Sequence, residues 1–225
     1  MVNIDSLQLR VPRHLRRGRL RADEEKSVIS AFGLLDLLNS IVPIRDKKIL
    51  DFGCGVKVTQ VLLERGSPQQ LYVGLDIYRE MIEYLKENVD DPKYHFDSVD
   101  FHSVMYNPTG QRMTPQTRLP IPDQTFDILT MFSVVTHQTP EDAAAIFSIL
   151  KRYADDRSTL IFSAFVDPEQ KKKWVDKRKD KPLLRAFFNK AYLEEIVTQS
   201  GWRIESYNPP VPGILQHYYV CKLSS

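Results

Sequence analysis

Five short apolar runs recur along the chain, "KKILDF", "QLYVGLD", "YHFDSV", "FDILTMF" and "STLIFSAF", and most are separated by stretches whose apolar residues return every three or four positions. Runs of that length read as buried strands and the stretches between them as amphipathic helices. Val28, Phe32, Leu35 and Leu38 mark a helix over 22–42 before the first run; Val58, Val61 and Leu62 follow the first run, and Met81, Ile82, Leu85 and Val89 follow the second. Thr139, Pro140 and Asp142 have the N-cap, N1 and N3 pattern of a helix start before the fifth run. Strands alternating with helices close through right-handed crossovers into a mostly parallel sheet covered on both faces. The rhythm breaks twice. A Pro-, Thr- and Gln-rich stretch, 106–124, is long for a loop in a compact domain, a length that often carries function. After a helix over 189–200 stopped by Gly201, "WRIESYN" and "LQHYYVCKL" are joined only by "PPVPG", too short for a crossover, so these last two strands are expected to pair antiparallel.

With 225 residues, one large domain can bury roughly 70% of its unfolded surface without staples. A net charge of +2 excludes a protein-wide field for polyanions, so any basic preference is local. Two cysteines, Cys54 and Cys221, are too few for a disulfide framework or a cysteine-built zinc site. No secretory-type stretch opens the chain and no run nears the roughly 18 apolar residues of a membrane span. A cytoplasmic protein in a reducing compartment is the expectation. Residues 1–21, with six arginines and little periodicity, are expected to form a mobile or surface-draped basic arm. Residues 22–225 are expected to form one domain, with a basic lid segment at 167–188.

The turn "ILDFGCGVKVTQ" joins the first strand to a helix through Asp51, Gly53 and Gly55. In open α/β sheets, ligands lie beyond such strand ends, where glycine lets backbone approach and a helix start offers free N–H groups. A dinucleotide fingerprint needs G-x-G-x-x-G, and its third glycine falls on Val58. Asp51, two residues before the first glycine, repels phosphate and suits an ammonium group, directly or through water. A cationic, phosphate-free ligand fits this turn better than NAD.

On these residues the chain resembles the class I S-adenosylmethionine-dependent methyltransferases, whose first motif is acid-x-Gly-x-Gly-x-Gly; Asp51, Gly53 and Gly55 match and Lys57 departs. "MYNPTG", "LPIPDQTFD" and "SVVTHQTPED" are also similar, in order, to stretches of a bacterial group of these enzymes with an SVFTHL-like motif after the fourth strand. The resemblance implies a Rossmann-like α/β fold, a seven-stranded mostly parallel sheet with an antiparallel last strand and helices on both faces. It implies S-adenosyl-L-methionine as cofactor, held by Asp51, Gly53 and Gly55, by Asp76 on the ribose hydroxyls, by Asp100 at the adenine amino group, and by Ile77, Phe101 and Phe132 beside them. Lys57 puts a side chain where the helix begins.

His137 follows the fourth strand, where donor and acceptor would meet; it reads either as a general base or as a histidine orienting the helix start. His95, Asp97, Asp100 and His102 could suggest a metal, yet only alternate residues share a strand face, so no metal is expected. Neither basic segment interleaves aromatics, which disfavours nucleic acid. The expectation is methyl transfer to an oxygen, with nitrogen second, of a small-molecule or glycan-like acceptor, an anionic one if the lid takes part. A nicotinamide-dependent oxidoreductase and a non-catalytic cofactor-binding domain are the alternatives.

Overall fold

The structure is a computed structural model that describes residues 4–17, 20, 22–211 and 214–224. Arg19 and Arg21 of the expected arm and part of the "PPVPG" link lie outside the described residues. The order of elements is α1 (Glu24–Ile41), β1 (Lys48–Phe52), α2 (Lys57–Glu64), β2 (Leu71–Asp76), α3 (Arg79–Asn88), β3 (Tyr94–Ser98), β4 (Ile128–Met131), α4 (Pro140–Lys151), β5 (Thr159–Asp167), β6 (Trp174–Asp176), β7 (Ala186–Asn189), α5 (Lys190–Gln199), β8 (Trp202–Asn208) and β9 (His217–Leu223). Helix starts follow their local chemistry. Asp23 accepts from Lys26 N, Thr139 from Asp142 N and Asn189 from Tyr192 N, each satisfying an N–H that the first helical turn leaves without a partner.

The strands β3, β2, β1, β4 and β5 run parallel in that order. Beside β5 lies β9, antiparallel, and β8 pairs antiparallel with β9, so the seven strands read from sequence are all present with the last one reversed. Alternation along the strands feeds two cores. Ile49, Ile128 and Ile161 pack with α1, α2 and α3, whereas Leu50, Leu129 and Phe162 pack with α4 and α5. Each such side chain removed from water contributes about 1.5–3 kcal/mol, and a parallel sheet covered on both faces follows.

Two segments differ from expectation. The basic lid contains β6 and β7: β7 pairs parallel with the end of β5, Phe165 to Asp167, and β6 pairs antiparallel with β7. The segment therefore extends the sheet rather than looping through solvent. The expected mobile or surface-draped arm also packs: Leu7, Leu9, Val11 and Leu15 are buried. The last three join the α1 and α2 core. Gln60 donates to Leu9 O at 2.8 Å, and Arg16 pairs with Glu24 at 2.9 Å. Isolated leucines among arginines carry no period, so their burial was invisible until α1 and α2 supplied a surface.

Candidate active site

The turn after β1 is built around backbone that only glycine tolerates cheaply. Gly53 and Gly55 have φ of +78° and +53°, and a Cβ on Gly53 would collide with Val134 Cγ2, while one on Gly55 would meet open space. Gly53 N and Cys54 N both donate to Leu75 O, at 2.7 and 3.0 Å, and Gly55 N donates to Asp76 Oδ2 at 3.0 Å. The turn is thereby tied to the end of β2. Lys57 opens α2 with its ammonium 3.3 Å from Ser30 Oγ of α1, and burial lowers its pKa.

Asp51 lies beneath this turn. Its carboxylate accepts from Thr130 and Tyr72 hydroxyls, each at 2.7 Å, and only 1% of the residue is exposed. Loss of water pushes its pKa up to about 6, against the lowering effect of those two hydrogen bonds. These two hydrogen bonds link β1 to β2 and to β4.

Asp76 is half-buried at the end of β2, with Oδ1 accepting from Tyr78 N at 3.0 Å and Oδ2 from Gly55 N. Burial raises its pKa, opposed by these backbone donors. Next to it opens a cleft of about 290 Å³ lined by Ile77, Tyr78, Ser98, Val99, Asp100 and Tyr106 among others. It offers two aliphatic walls, the exposed carboxylates of Glu80 and Asp100, and the exposed Arg79. Asp100 Oδ1 accepts from Asn107 Nδ2 at 2.9 Å. Phe101 is buried and stacks on Phe52 with ring centres 6.1 Å apart, and Phe132 packs at the edge of the α1 core, so neither lines the cleft. Asp76, Ile77 and Asp100 are thus brought together, with the glycine turn alongside.

His137 lies in a single helical turn, Val135–His137, after β4. Its Nδ1 is 2.9 Å from Leu183 O in the loop between β6 and β7. A carbonyl can only accept, so Nδ1 carries the proton and Nε2 of the neutral ring keeps its lone pair. Burial lowers the pKa of the ring, which favours this neutral form. Leu183 is held at φ +61° with its N–H on Asp176 Oδ2 at 2.7 Å. The histidine therefore ties the lid to the strand end and still presents a basic nitrogen. Ser133 N beside it donates to Ser163 Oγ at 2.9 Å.

Several residues at the cleft escaped sequence reasoning. Tyr78 and Tyr106 line the cleft, and Arg17 of the N-terminal segment lies over the Tyr78 ring, 3.9 Å from its centre. Nothing in the arm's composition singles out Arg17, while Tyr106 sits in "MYNPTG", a signal visible in sequence. Among the described residues, no group of three His, Cys, Asp or Glu side chains is arranged to hold a metal ion, and no helix is long and apolar enough to cross a membrane.

Residues 44–202, well over half of the chain, match the family model of a methyltransferase domain. The chain belongs to the methyltransferase-domain family. Similar solved structures include an S-adenosylmethionine dependent methyltransferase from Mesorhizobium loti, 14% identical with a TM-score of 0.59 over 83% of this methyltransferase and 96% of that chain. The glycopeptide N-methyltransferase MtfA complexed with sinefungin is 10% identical, with a TM-score of 0.60 over 87% and 94%. DhpI in complex with SAH is 19% identical, with a TM-score of 0.57 over 90% and 89%. At these identities the likeness to this methyltransferase is one of fold.

Proposed function

We propose that the protein transfers the methyl group of S-adenosylmethionine to an oxygen, with nitrogen as the second choice, of a small-molecule or glycan-like acceptor, and that the acceptor is anionic. The observation that carries the cofactor assignment is the half-buried Asp76 carboxylate at the end of β2, fixed by Gly55 N and Tyr78 N beside a cleft walled by Ile77 and Val99. The residues fit this cofactor. A carboxylate in that position can accept from two ribose hydroxyls, aliphatic walls suit the faces of an adenine ring, and the exposed Asp100 carboxylate suits its amino edge.

When bound, S-adenosylmethionine supplies a methyl group on a cationic sulfur, open to in-line displacement. The chain supplies alignment and exclusion of water. Gly53 and Gly55 bring bare backbone to the site, and Asp51 stiffens the turn from below through Tyr72 and Thr130. Nε2 of His137 takes the proton of an acceptor hydroxyl. Exposed Lys171, Lys172 and Lys179 on the lid draw an anionic acceptor to the same edge. The nicotinamide alternative loses its support with the family match and with Val58 in place of a third glycine.

Calorimetric titration with S-adenosylmethionine and with NADH tests this reading. S-adenosylmethionine is expected to bind and NADH is not. Charge-assisted hydrogen bonds contribute about 1.5–3 kcal/mol each, so Asp76→Ala is expected to weaken cofactor binding at least about tenfold. An unchanged affinity removes Asp76 from the site, and binding without methyl turnover on any acceptor leaves a cofactor-binding domain.

A further inference from the structure

The stretch "DFHSVMYNPTGQ", 100–111, closes into a compact hairpin-like loop that lines the cleft through Asp100, Tyr106 and Asn107; Ser103 and Asn107 bridge antiparallel, while Phe101 and Gln111 bridge in parallel. Asp100 O accepts from Gln111 N at 2.9 Å, His102 N donates to Gln111 O at 2.8 Å, and Ser103 and Asn107 exchange backbone hydrogen bonds of 2.9 Å in both directions. Gly110 permits this closure, since a Cβ there would collide with the carbonyl of Phe101 and the amide of Asn107. The motif residues therefore have a shared geometric purpose. Asn107 hooks the turn back onto the Asp100 carboxylate, and Gly110 lets the two arms touch.

At the tip stands Tyr106, 40% exposed, so its ring is not there to fill a core. The ring lines the cleft together with Ile77, Tyr78, Val99 and Asp100. It also stands edge to face with the His137 imidazole, the ring centres 6.2 Å apart and the planes at 79°. A single side chain thus touches both the cleft beside Asp76 and the histidine beyond β4. The base of its hairpin is tied to Asp100, where only Oδ1 has a hydrogen-bond partner among the described residues. A donor reaching Oδ2 would hold the carboxylate, the Asn107 hook and the hairpin tip in one arrangement.

We propose that Tyr106 is a positioning residue for methyl transfer: occupation of the cleft fixes the 100–111 hairpin, and the Tyr106 ring then sets the His137 imidazole in place. This rests on the reading of the cleft as the S-adenosylmethionine site. Its physical basis is the pinning of one ring between two surfaces. The tyrosine packs on the occupant of the cleft on one side and on the imidazole on the other, which restricts a histidine whose ring, among the described residues, has Leu183 O as its one hydrogen-bond partner. Loss of that restriction leaves Nε2 free to swing away from the acceptor.

The test uses the full chain carrying ring-15N histidine and S-adenosylhomocysteine as probe, with the His137 signals identified by their loss in His137→Gln. Saturation with S-adenosylhomocysteine, verified for each variant by calorimetry, is expected to shift the His137 ring signals in the wild type and in Tyr106→Phe, which keeps the ring. In Tyr106→Leu, which keeps an apolar cleft wall without the ring, the shift is expected to be lost while the melting temperature and the other histidine signals stay close to wild type. Asn107→Ala, which unhooks the hairpin, is expected to weaken the shift. A wild-type shift that persists unchanged in Tyr106→Leu overturns the proposal, as does a saturated wild type whose His137 signals do not move. Should S-adenosylhomocysteine fail to bind the wild type, the cofactor reading falls and this inference with it, an outcome distinct from binding without a shift.

Discussion

Two side chains carry titrations that test the reading at the scale of single residues. Asp51 is dehydrated beneath the glycine turn, and its pKa is pushed up to about 6, above the roughly 3.9 of an unfolded aspartate. The native state then holds the proton more tightly than the unfolded chain. Asp51 accordingly adds stability that is fully present below about pH 4 and is lost as the pH rises through about 6, a loss of at most roughly 3 kcal/mol. Urea midpoints of wild type minus those of Asp51→Asn are expected to fall between about pH 4 and pH 7; a difference that stays flat contradicts the burial account. His137 has the opposite logic, since burial depresses its pKa below the usual histidine value. As a base it is active when neutral, so turnover is expected to fall only as the pH drops through that lowered value and to be level above it. His137→Ala is expected to cost about 10²- to 10⁴-fold in turnover. If His137→Asn and His137→Ala both stay within about threefold of wild type with the same pH profile, the histidine serves only as the tie to Leu183. Asp76 was legible in sequence because a strand end is a local pattern, whereas Asp100 was reached only through the family resemblance. The engagement of Asp51 was not legible, because its partners Tyr72 and Thr130 belong to the two neighbouring strands.

The lid between β5 and α5 is the element that departs most from its sequence. Its composition, "KKKWVDKRKDK", has none of the apolar alternation of a strand, yet β6 and β7 form because Trp174 reaches Gln138 O at 3.2 Å and Phe165 stacks on Phe187 with centres 4.8 Å apart. Pairing onto the free end of β5 overrides weak local preference, as strand propensity is largely a matter of packing. The hairpin also sorts its charges. Arg178 is bound to Asp180 at 2.7 Å, Lys177 lies 3.9 Å above the centre of the Phe187 ring, and Lys173 lies 4.7 Å from that of Tyr192. Lys171, Lys172 and Lys179 are exposed without such a partner among the described residues, and they are the lysines that the proposed anionic acceptor would meet. Replacing these three with glutamine is expected to raise the apparent KM of an anionic acceptor at low salt, to leave cofactor affinity unchanged, and to have little effect once salt shortens the screening length below about 8 Å. A KM insensitive both to the replacements and to salt makes the hairpin a scaffold for Leu183 and nothing more.

At the scale of the whole molecule the N-terminal segment is part of the core. Leu9, Val11 and Leu15 are at most 3% exposed against α1 and α2, and burying each contributes about 1.5–3 kcal/mol before the entropy of ordering the segment is subtracted. Removal of residues 1–17 is therefore expected to lower the melting temperature by several degrees and to expose an apolar strip that promotes association; a truncated chain that melts with the wild type and keeps its state of association would show the segment to be dispensable. The same segment passes Arg17 over the Tyr78 ring at the cleft, so a stability defect is expected to come with weakened cofactor binding. The sequence by itself determined the alternation of strands and helices, the reversed last strand, the glycine turn after β1 and the acid at the end of β2, because each is written in a periodicity or a spacing within some twenty neighbouring residues. Only the tertiary structure decided that an arginine-rich arm would bury its leucines, that a lysine-rich lid would join the sheet, that Asp51 would bond to both flanking strands, and that Tyr106 would meet His137. These depend on which surfaces the crossovers bring together, and a residue's own neighbours carry no record of a partner that arrives from another strand.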